Sequence, residues 1–142
     1  MRLYFKSDGM FPRIKFISDR SFTGAEHPPE EALRYQFDHG VSFIKENDRG
    51  DIIAYAIVVK DAGEPYIWSI ATLPLYRNKG IASDLIDEVI TYYKELHEET
   101  LALTVNVNND AQKLYFDFGF RVVKFIPRRY GTVAGLRMRR TL

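Results

Sequence analysis

The chain has 142 residues, the length of one ordinary domain, and can bury roughly 70% of the surface its unfolded form exposes, so a core needs no covalent staples. Twenty Lys+Arg (20) against 19 Asp+Glu imply no overall field for a polyanion, and 46% hydrophobic with 27% charged residues is a soluble globular balance. The absence of cysteine excludes disulfides, thiolate zinc sites and cysteine nucleophiles, and fits a cytoplasmic protein.

The opening decapeptide MRLYFKSDGM is charged and broken by glycine, unlike a signal peptide, and no apolar run approaches the ~18 residues of a membrane span. With no repeat, low-complexity tract or linker, residues 1–142 are expected to form a single domain. RLYFK predicts a short first strand stopped by SDG. Phe11, Ile14, Ile17 and Phe22 recur at near-helical spacing, with Pro12 tolerable in a first turn. After the loop TGAEHPP, EEALRYQFDHG predicts a helix closed by Gly40.

VSFIKEN alternates as a half-buried strand does, whereas IIAYAIVVK is apolar almost throughout, as a strand covered on both faces would be. The polar turn DRG makes them an antiparallel hairpin, and a second turn, DAGEP, leads into the strand YIWSIATL, which Pro74 ends. Ile81, Leu85, Ile86, Val89, Ile90, Tyr93 and Leu96 then form one stripe of a long amphipathic helix. LALTVNV predicts a strand. Ala111, Leu114, Tyr115 and Phe118 predict a short helix stopped by Gly119, and RVVKFI and AGLRMRR are closing strands joined by a loop PRRYGTV. Strand–helix–strand from 66 to 107 should be a right-handed parallel crossover within an otherwise antiparallel sheet. The expected fold is therefore mixed α/β, with helices on both faces of the sheet.

The segment LYRNKGIASDL lies at the start of the long helix, where the first N–H groups lack intrahelical partners and the dipole adds about +0.5 of a charge. Gly80 has no side chain to hold a ligand away, Arg77 and Lys79 add charge, and Ala82 keeps the next turn small, which suits a phosphate or pyrophosphate. A plain turn with surface cations is an equal alternative on these grounds. Neither G-x-x-x-x-G-K-[ST] nor G-x-G-x-x-G occurs, which argues against a P-loop hydrolase and a dinucleotide-binding turn.

RNKGIA meets the [QR]-x-x-G-x-[GA] signature at Arg77, Gly80 and Ala82, and NNDAQKLYFDFGF resembles N-x-x-A-x-x-L-Y-x-x-x-G-F at Asn108, Ala111, Leu114, Tyr115, Gly119 and Phe120. With the upstream element order, the chain resembles the GNAT N-acetyltransferase superfamily over essentially its whole length. The resemblance implies a mixed, mostly antiparallel sheet of six to seven strands with one parallel, splayed pair. It implies acetyl-coenzyme A as co-substrate. The main chain through Arg77, Asn78, Lys79, Gly80, Ile81, Ala82 and Ser83 would cradle the pyrophosphate. Ile70, Ala71 and Thr72 would pair with the pantetheine arm, Asn108 would contact it, and Tyr115 would sit by the thioester sulfur. A homodimer is compatible with the same resemblance.

Acyl transfer to nitrogen needs a neutral amine and a proton for the departing thiolate. A tyrosine of pKa roughly 10 can protonate a thiolate of pKa roughly 8.5, which suits Tyr115; on periodicity alone the same residue reads as core. The glutamates that relatives carry align here with Tyr66 and with Leu103 or Thr104, so the base is open. Glu64, two residues before Tyr66 and on its face of a strand, is one candidate, and a solvated turn carboxylate is the alternative.

A site without a strong base favours acceptors of low pKa. At pH near 7.4 an α-amine of pKa ~7.8 is roughly a quarter to a third neutral, a lysine only about one part in a thousand. The expected acceptor is a peptide N-terminus or small amine, held by the loops SFTGAEHPPEE and PRRYGTV. Asp19, just before the first loop, or Glu26 or His27 within it could hold a cation or simply face solvent. DRSF before a proline-bearing loop, with Tyr130 near the C-terminus, is similar to the ribosomal-protein N-terminal acetyltransferases. A non-catalytic coenzyme A sensor would keep residues 77–82 without needing Tyr115. Nucleic-acid binding through Arg128, Arg129, Arg137, Arg139 and Arg140 is disfavoured by neutral total charge and absent stacking motifs. No spacing suggests a metal.

Overall fold

The computed structural model describes residues 9–142. The strand expected at RLYFK lies outside the described residues. Helices α1 (Met10–Ser21) and α2 (Glu30–His39) precede strands β1 (Val41–Glu46), β2 (Ile52–Asp61) and β3 (Glu64–Thr72). Helix α3 (Ile81–Glu95), β4 (Thr100–Asn106), α4 (Ala111–Asp117), β5 (Arg121–Tyr130) and β6 (Val133–Thr141) complete the order. The six strands lie side by side as β1-β2-β3-β4-β6-β5, every pair antiparallel except β3–β4.

The sheet separates two cores. On one face Leu85, Ile86, Val89, Ile90 and Tyr93 of α3 pack with Tyr115 and Phe120 over Phe43, Ala56, Ile67 and Leu103. On the other, Phe11, Ile14 and Ile17 of α1 and Leu33 and Phe37 of α2 pack over Ile44, Tyr55 and Ile57. Phe43 and Ile44 enter opposite cores, so β1 is covered on both faces rather than alternating with solvent. Leu96, the last position of the predicted stripe, is exposed, because α3 ends one residue earlier.

β2 and β3 meet in a two-residue turn whose Ala62 and Gly63 both have positive φ, 51° and 84°, the geometry a tight hairpin demands. Glu64 therefore opens the strand instead of sitting in the turn. PRRYGTV is likewise no loop: β5 continues to Tyr130 and β6 begins at Val133. Pro127 is tolerated because β5 is an edge strand and its register slips between Ile126 and Tyr130.

β3 and β4 pair at only two positions, Tyr66 with Ala102 and Ile67 with Leu103, and then diverge. The gap opens towards the C-terminal ends of both strands, from which the chain runs on into α3 and α4.

Candidate active site

Two cavities meet at that divergence. The first, about 610 Å³, lies beneath the turn that leads into α3. Its wall takes Ile70, Ala71 and Thr72 from the end of β3 and Arg77, Asn78, Gly80, Ile81, Ala82 and Ser83 from the turn and first helical residues. Nine of the residues expected to hold a coenzyme thus line one cavity. Lys79 does not; its Nζ lies 5.8 Å from the Tyr76 ring centroid. Asn108 does not either, and its neighbour Asn109 takes that place. The side chain of Asn109 accepts a 2.8 Å hydrogen bond from the Ala111 N–H, holding the start of α4 beside the cavity.

The turn itself explains its glycine. Gly80 has φ +80°, a left-handed conformation, and a Cβ there would meet no heavy atom within 4 Å. Packing does not require glycine at this position. Backbone conformation does, and the open space above it leaves the first α3 amides approachable. Arg77 is partly committed, its Nε donating to the Thr72 carbonyl at 3.0 Å, which ties the turn to the end of β3.

The second cavity, about 290 Å³, lies on the α1–α2 side of the divergence. Its wall includes Tyr66, Trp68, Thr104 and Asn106 from the strands, Glu26, His27 and Pro28 from the α1–α2 connection, and Arg129 and Tyr130 from β5. Among the described residues Glu26 is the only carboxylate on it. The Asn106 side-chain amide donates to Glu26 Oε1 at 2.5 Å, so the connection is tied to the end of β4. The Tyr66 hydroxyl donates to Thr104 Oγ1, and the Arg137 guanidinium lies 4.8 Å from the Tyr66 ring, which fixes that tyrosine. His27 Nε2 pairs with Asp19 Oδ1 at 2.8 Å, and Lys15 holds the other oxygen of the same carboxylate.

Among the described residues, four line both cavities: Phe22, Ile70, Asn109 and Tyr115. Of these only Tyr115 carries an ionisable proton. It is buried, and that burial, with Tyr130 nearby, pushes its hydroxyl up to about 12. The proton therefore stays on Tyr115 throughout the neutral range.

Glu64 lies elsewhere. It precedes the paired positions of β3 and lines neither cavity. Arg139 donates to both of its oxygens at 2.9 Å, Arg137 to one at 2.9 Å and Thr100 Oγ1 to the other at 2.6 Å. These donors, Arg139 foremost, pull its carboxyl down to about 2 against desolvation, so it is a weak proton acceptor. The partners come from 36 to 75 residues away, so the carboxylate's local sequence gives no sign of them. Glu26 was one of three candidates, with Asp19 and His27, for holding a cationic acceptor, and nothing in the local sequence separates it from the other two.

Residues 11–120 match the family described as Acetyltransferase (GNAT) family. The [Ribosomal protein bS18]-alanine N-acetyltransferase of Haemophilus influenzae is 32% identical over 92 residues, a stretch that spans 65% of this chain and 63% of that protein. The crystal structure of the ribosomal-protein-S18-alanine N-acetyltransferase from Escherichia coli shares the fold with a TM-score of 0.87 at 21% identity, covering 99% of this chain and 92% of the other. A GNAT family acetyltransferase from Elizabethkingia anophelis, solved with acetyl-CoA bound, superposes with a TM-score of 0.73 at 19% identity over 81% of this chain and 84% of its own. The match over residues 11–120 places the chain, plainly, in the GNAT acetyltransferase family.

Proposed function

We propose that this chain is an acetyl-CoA-dependent N-acetyltransferase that acts on a primary amine of low pKa, most naturally a peptide N-terminus. The observation that carries the reading is the pair of cavities joined at Tyr115, one walled by a helix-initiating turn and the other by polar side chains. The residues fit the coenzyme: Gly80 leaves the first α3 amides open to a pyrophosphate, and residues 70–72 offer a strand end that β4 has left. A bound relative of the same fold carries acetyl-CoA.

Acetyl-CoA, when bound, supplies an acyl group already activated as a thioester. Gly80, Ile81 and Ala82 would hold its phosphates through their main chain, and Asn109 would orient the arm in place of Asn108. Burial raises the Tyr115 pKa to about 12, so its hydroxyl is protonated at neutral pH and available as a hydrogen-bond donor that would stabilise the sulfur charge as the thiolate departs. On the acceptor side, Glu26 would bind the amine and take its proton, directly or through water, while Asn106 holds the carboxylate in place. A 290 Å³ cavity suits the first residues of a peptide better than a folded side chain presented from a surface. The Haemophilus influenzae relative, named for an alanine N-acetyltransferase activity on a ribosomal protein, supports a peptide N-terminus in this role.

The test is incubation with acetyl-CoA and a panel of N-terminal peptides, lysine peptides, polyamines and amino acids, read by mass spectrometry and free-thiol release. Acetylated peptide N-termini are expected. Rapid lysine or polyamine acetylation with N-terminal peptides inert would overturn the acceptor assignment, and coenzyme binding without any transfer would make the chain a binding module.

A further inference from the structure

The acceptor cavity has an uncompensated cation that the reading above does not use. Between the pairs Ile126–Gly135 and Tyr130–Val133, residues 127–129 of β5 lie opposite residue 134 of β6 alone, so the strand bulges. Pro127 has no N–H to lose to the ladder, and Arg128 adopts φ +54°, a left-handed conformation that costs a non-glycine residue energy. Bulges beside active sites re-aim side chains. Here Arg129 is turned onto the acceptor cavity.

Its seat is built. A Cβ on Gly135 would lie 2.9 Å from both Cβ and Cγ of Arg129 and 3.1 Å from Thr104 Cγ2, so the arginine stem crosses β6 at a place where no side chain fits. The guanidinium then rests 5.0 Å from the Tyr130 ring centroid, a cation–π distance. Tyr130 in turn donates to the Thr104 carbonyl at 3.4 Å. Arg137 and Arg139 on the neighbouring strand are neutralised by Asp61 and Glu64. Arg129 makes no ion pair with any described residue. Glu26, on the opposite wall, spends one oxygen on Asn106 and pairs with no cation among the described residues. The two charges are held apart in one small cavity, and the hydroxyl of Tyr130 feels both, Glu26 raising its pKa and Arg129 lowering it, beneath the larger effect of burial.

We propose that Arg129 receives a carboxylate carried by the acceptor close to its reactive amine, so that the cavity selects acceptors bearing both groups. This rests on the acetyltransferase reading and deepens it. Two sources share the chemistry: an acidic side chain at the second position of a peptide, and the α-carboxylate of a free amino acid. The guanidinium fork matches either.

The experiment measures kcat/KM on matched acceptor pairs, with peptides beginning Ala-Glu against Ala-Gln and alanine against alaninamide, every rate referred to the concentration of neutral amine, each with wild type, Arg129→Gln and Arg129→Lys. Wild type is expected to prefer the carboxylate member of one pair by about tenfold, chiefly through KM, which is the worth of one charge-assisted contact. The pair that shows it identifies the source. Arg129→Gln should abolish the preference and Arg129→Lys retain part of it, while rising ionic strength should shrink it in wild type without any substitution. Equal rates within both pairs, a preference for the amide member, or a preference that survives Arg129→Gln would overturn the proposal while leaving acetyl transfer intact. Absence of transfer to every acceptor would instead remove the reading on which it rests, and the proposal with it.

Discussion

The two cavities that meet at Tyr115 are built on different principles. The larger draws chiefly on one stretch of chain, residues 70–83, which carries a strand end, a left-handed glycine and the first turn of α3, joined by the end of α1 and the start of α4. The smaller is assembled from separate elements, the α1–α2 connection, α2, β3, β4 and β5. A surface of backbone amides in a fixed turn recognises what all donors of one kind have in common. A surface of side chains from separate elements can be altered one residue at a time, which suits the partner that varies between enzymes.

Substitutions at the junction and on each side should separate these roles. The largest effect is expected at the junction: Tyr115→Phe should lower kcat by on the order of 10²-fold or more, the usual worth of a positioned acid, with the acetyl-CoA dissociation constant nearly unchanged. Calorimetry and stopped thiol assays read the two quantities separately, and unchanged turnover would take the tyrosine out of the chemistry. Because burial holds the Tyr115 proton to about pH 12, no alkaline loss of rate below pH 10 should trace to it.

On the acceptor side alone, Glu26→Gln should cost roughly 10- to 100-fold in kcat/KM for the amine without weakening acetyl-CoA. A loss of coenzyme affinity of similar size would show that the two cavities are not separate functions. On the donor side alone, Gly80→Ala must hold a left-handed φ of +80°, a strain of about 1–2 kcal/mol, and should weaken acetyl-CoA by about tenfold while leaving the acceptor KM in place. Since a Cβ there meets nothing within 4 Å, a larger substituent at residue 80 reports approach to the helix amides rather than packing.

The smallest effect on catalysis should come from Glu64→Gln, which touches neither cavity. Its consequence is stability. Arg139, Arg137 and Thr100 hold the carboxyl at about 2 in the folded chain, against an ordinary value of 4.5. A depressed carboxyl contributes stability that is present above the unfolded value and lost as pH falls through the folded one, here between about 4.5 and 2. The contribution is at most about 3 kcal/mol, less where solvent reaches Arg139. Chemical denaturation of wild type and Glu64→Gln at pH 7 and pH 3 checks it: the gap between them should narrow on acidification. A fall in turnover with unchanged stability would instead return Glu64 to the mechanism.

The contrast between one stretch of chain and separate elements also decides what a sequence can reveal. R-x-x-G-x-A is contiguous, so the turn, its glycine and the lining residues from 77 to 83 could be read directly; the stripe of α3 followed from periodicity and the parallel β3–β4 pair from the strand–helix–strand order. The motif pointed to Asn108, whereas Asn109 lines the cavity, because the turn into α4 puts the Asn109 side chain against the Ala111 N–H. Glu64 misled for a different reason. Strand parity placed it correctly beside Tyr66, but the arginines that occupy it lie on β6, more than 70 residues on. PRRYGTV, with its proline, glycine and two arginines, has the composition of a loop, and only pairing with β6 absorbs Pro127 into an edge-strand bulge. The stretches SFTGAEHPPEE and PRRYGTV, expected to hold the acceptor, do supply residues 25–29, Arg129 and Tyr130 to one cavity; that Glu26 and Arg129, 103 positions apart by subtraction, line it together is set by the fold and by nothing local.

The central claim is that donor and acceptor occupy separate cavities that touch at Tyr115, and backbone and side-chain NMR of the isotope-labelled chain tests it most directly. Titration with acetyl-CoA should perturb Gly80, Ile81 and Ala82, titration with an N-terminal peptide should perturb Glu26, Trp68 and Arg129, and Tyr115 should respond to both. Acetyl-CoA shifts centred on Glu26 and Trp68, with Gly80 silent, would contradict the account.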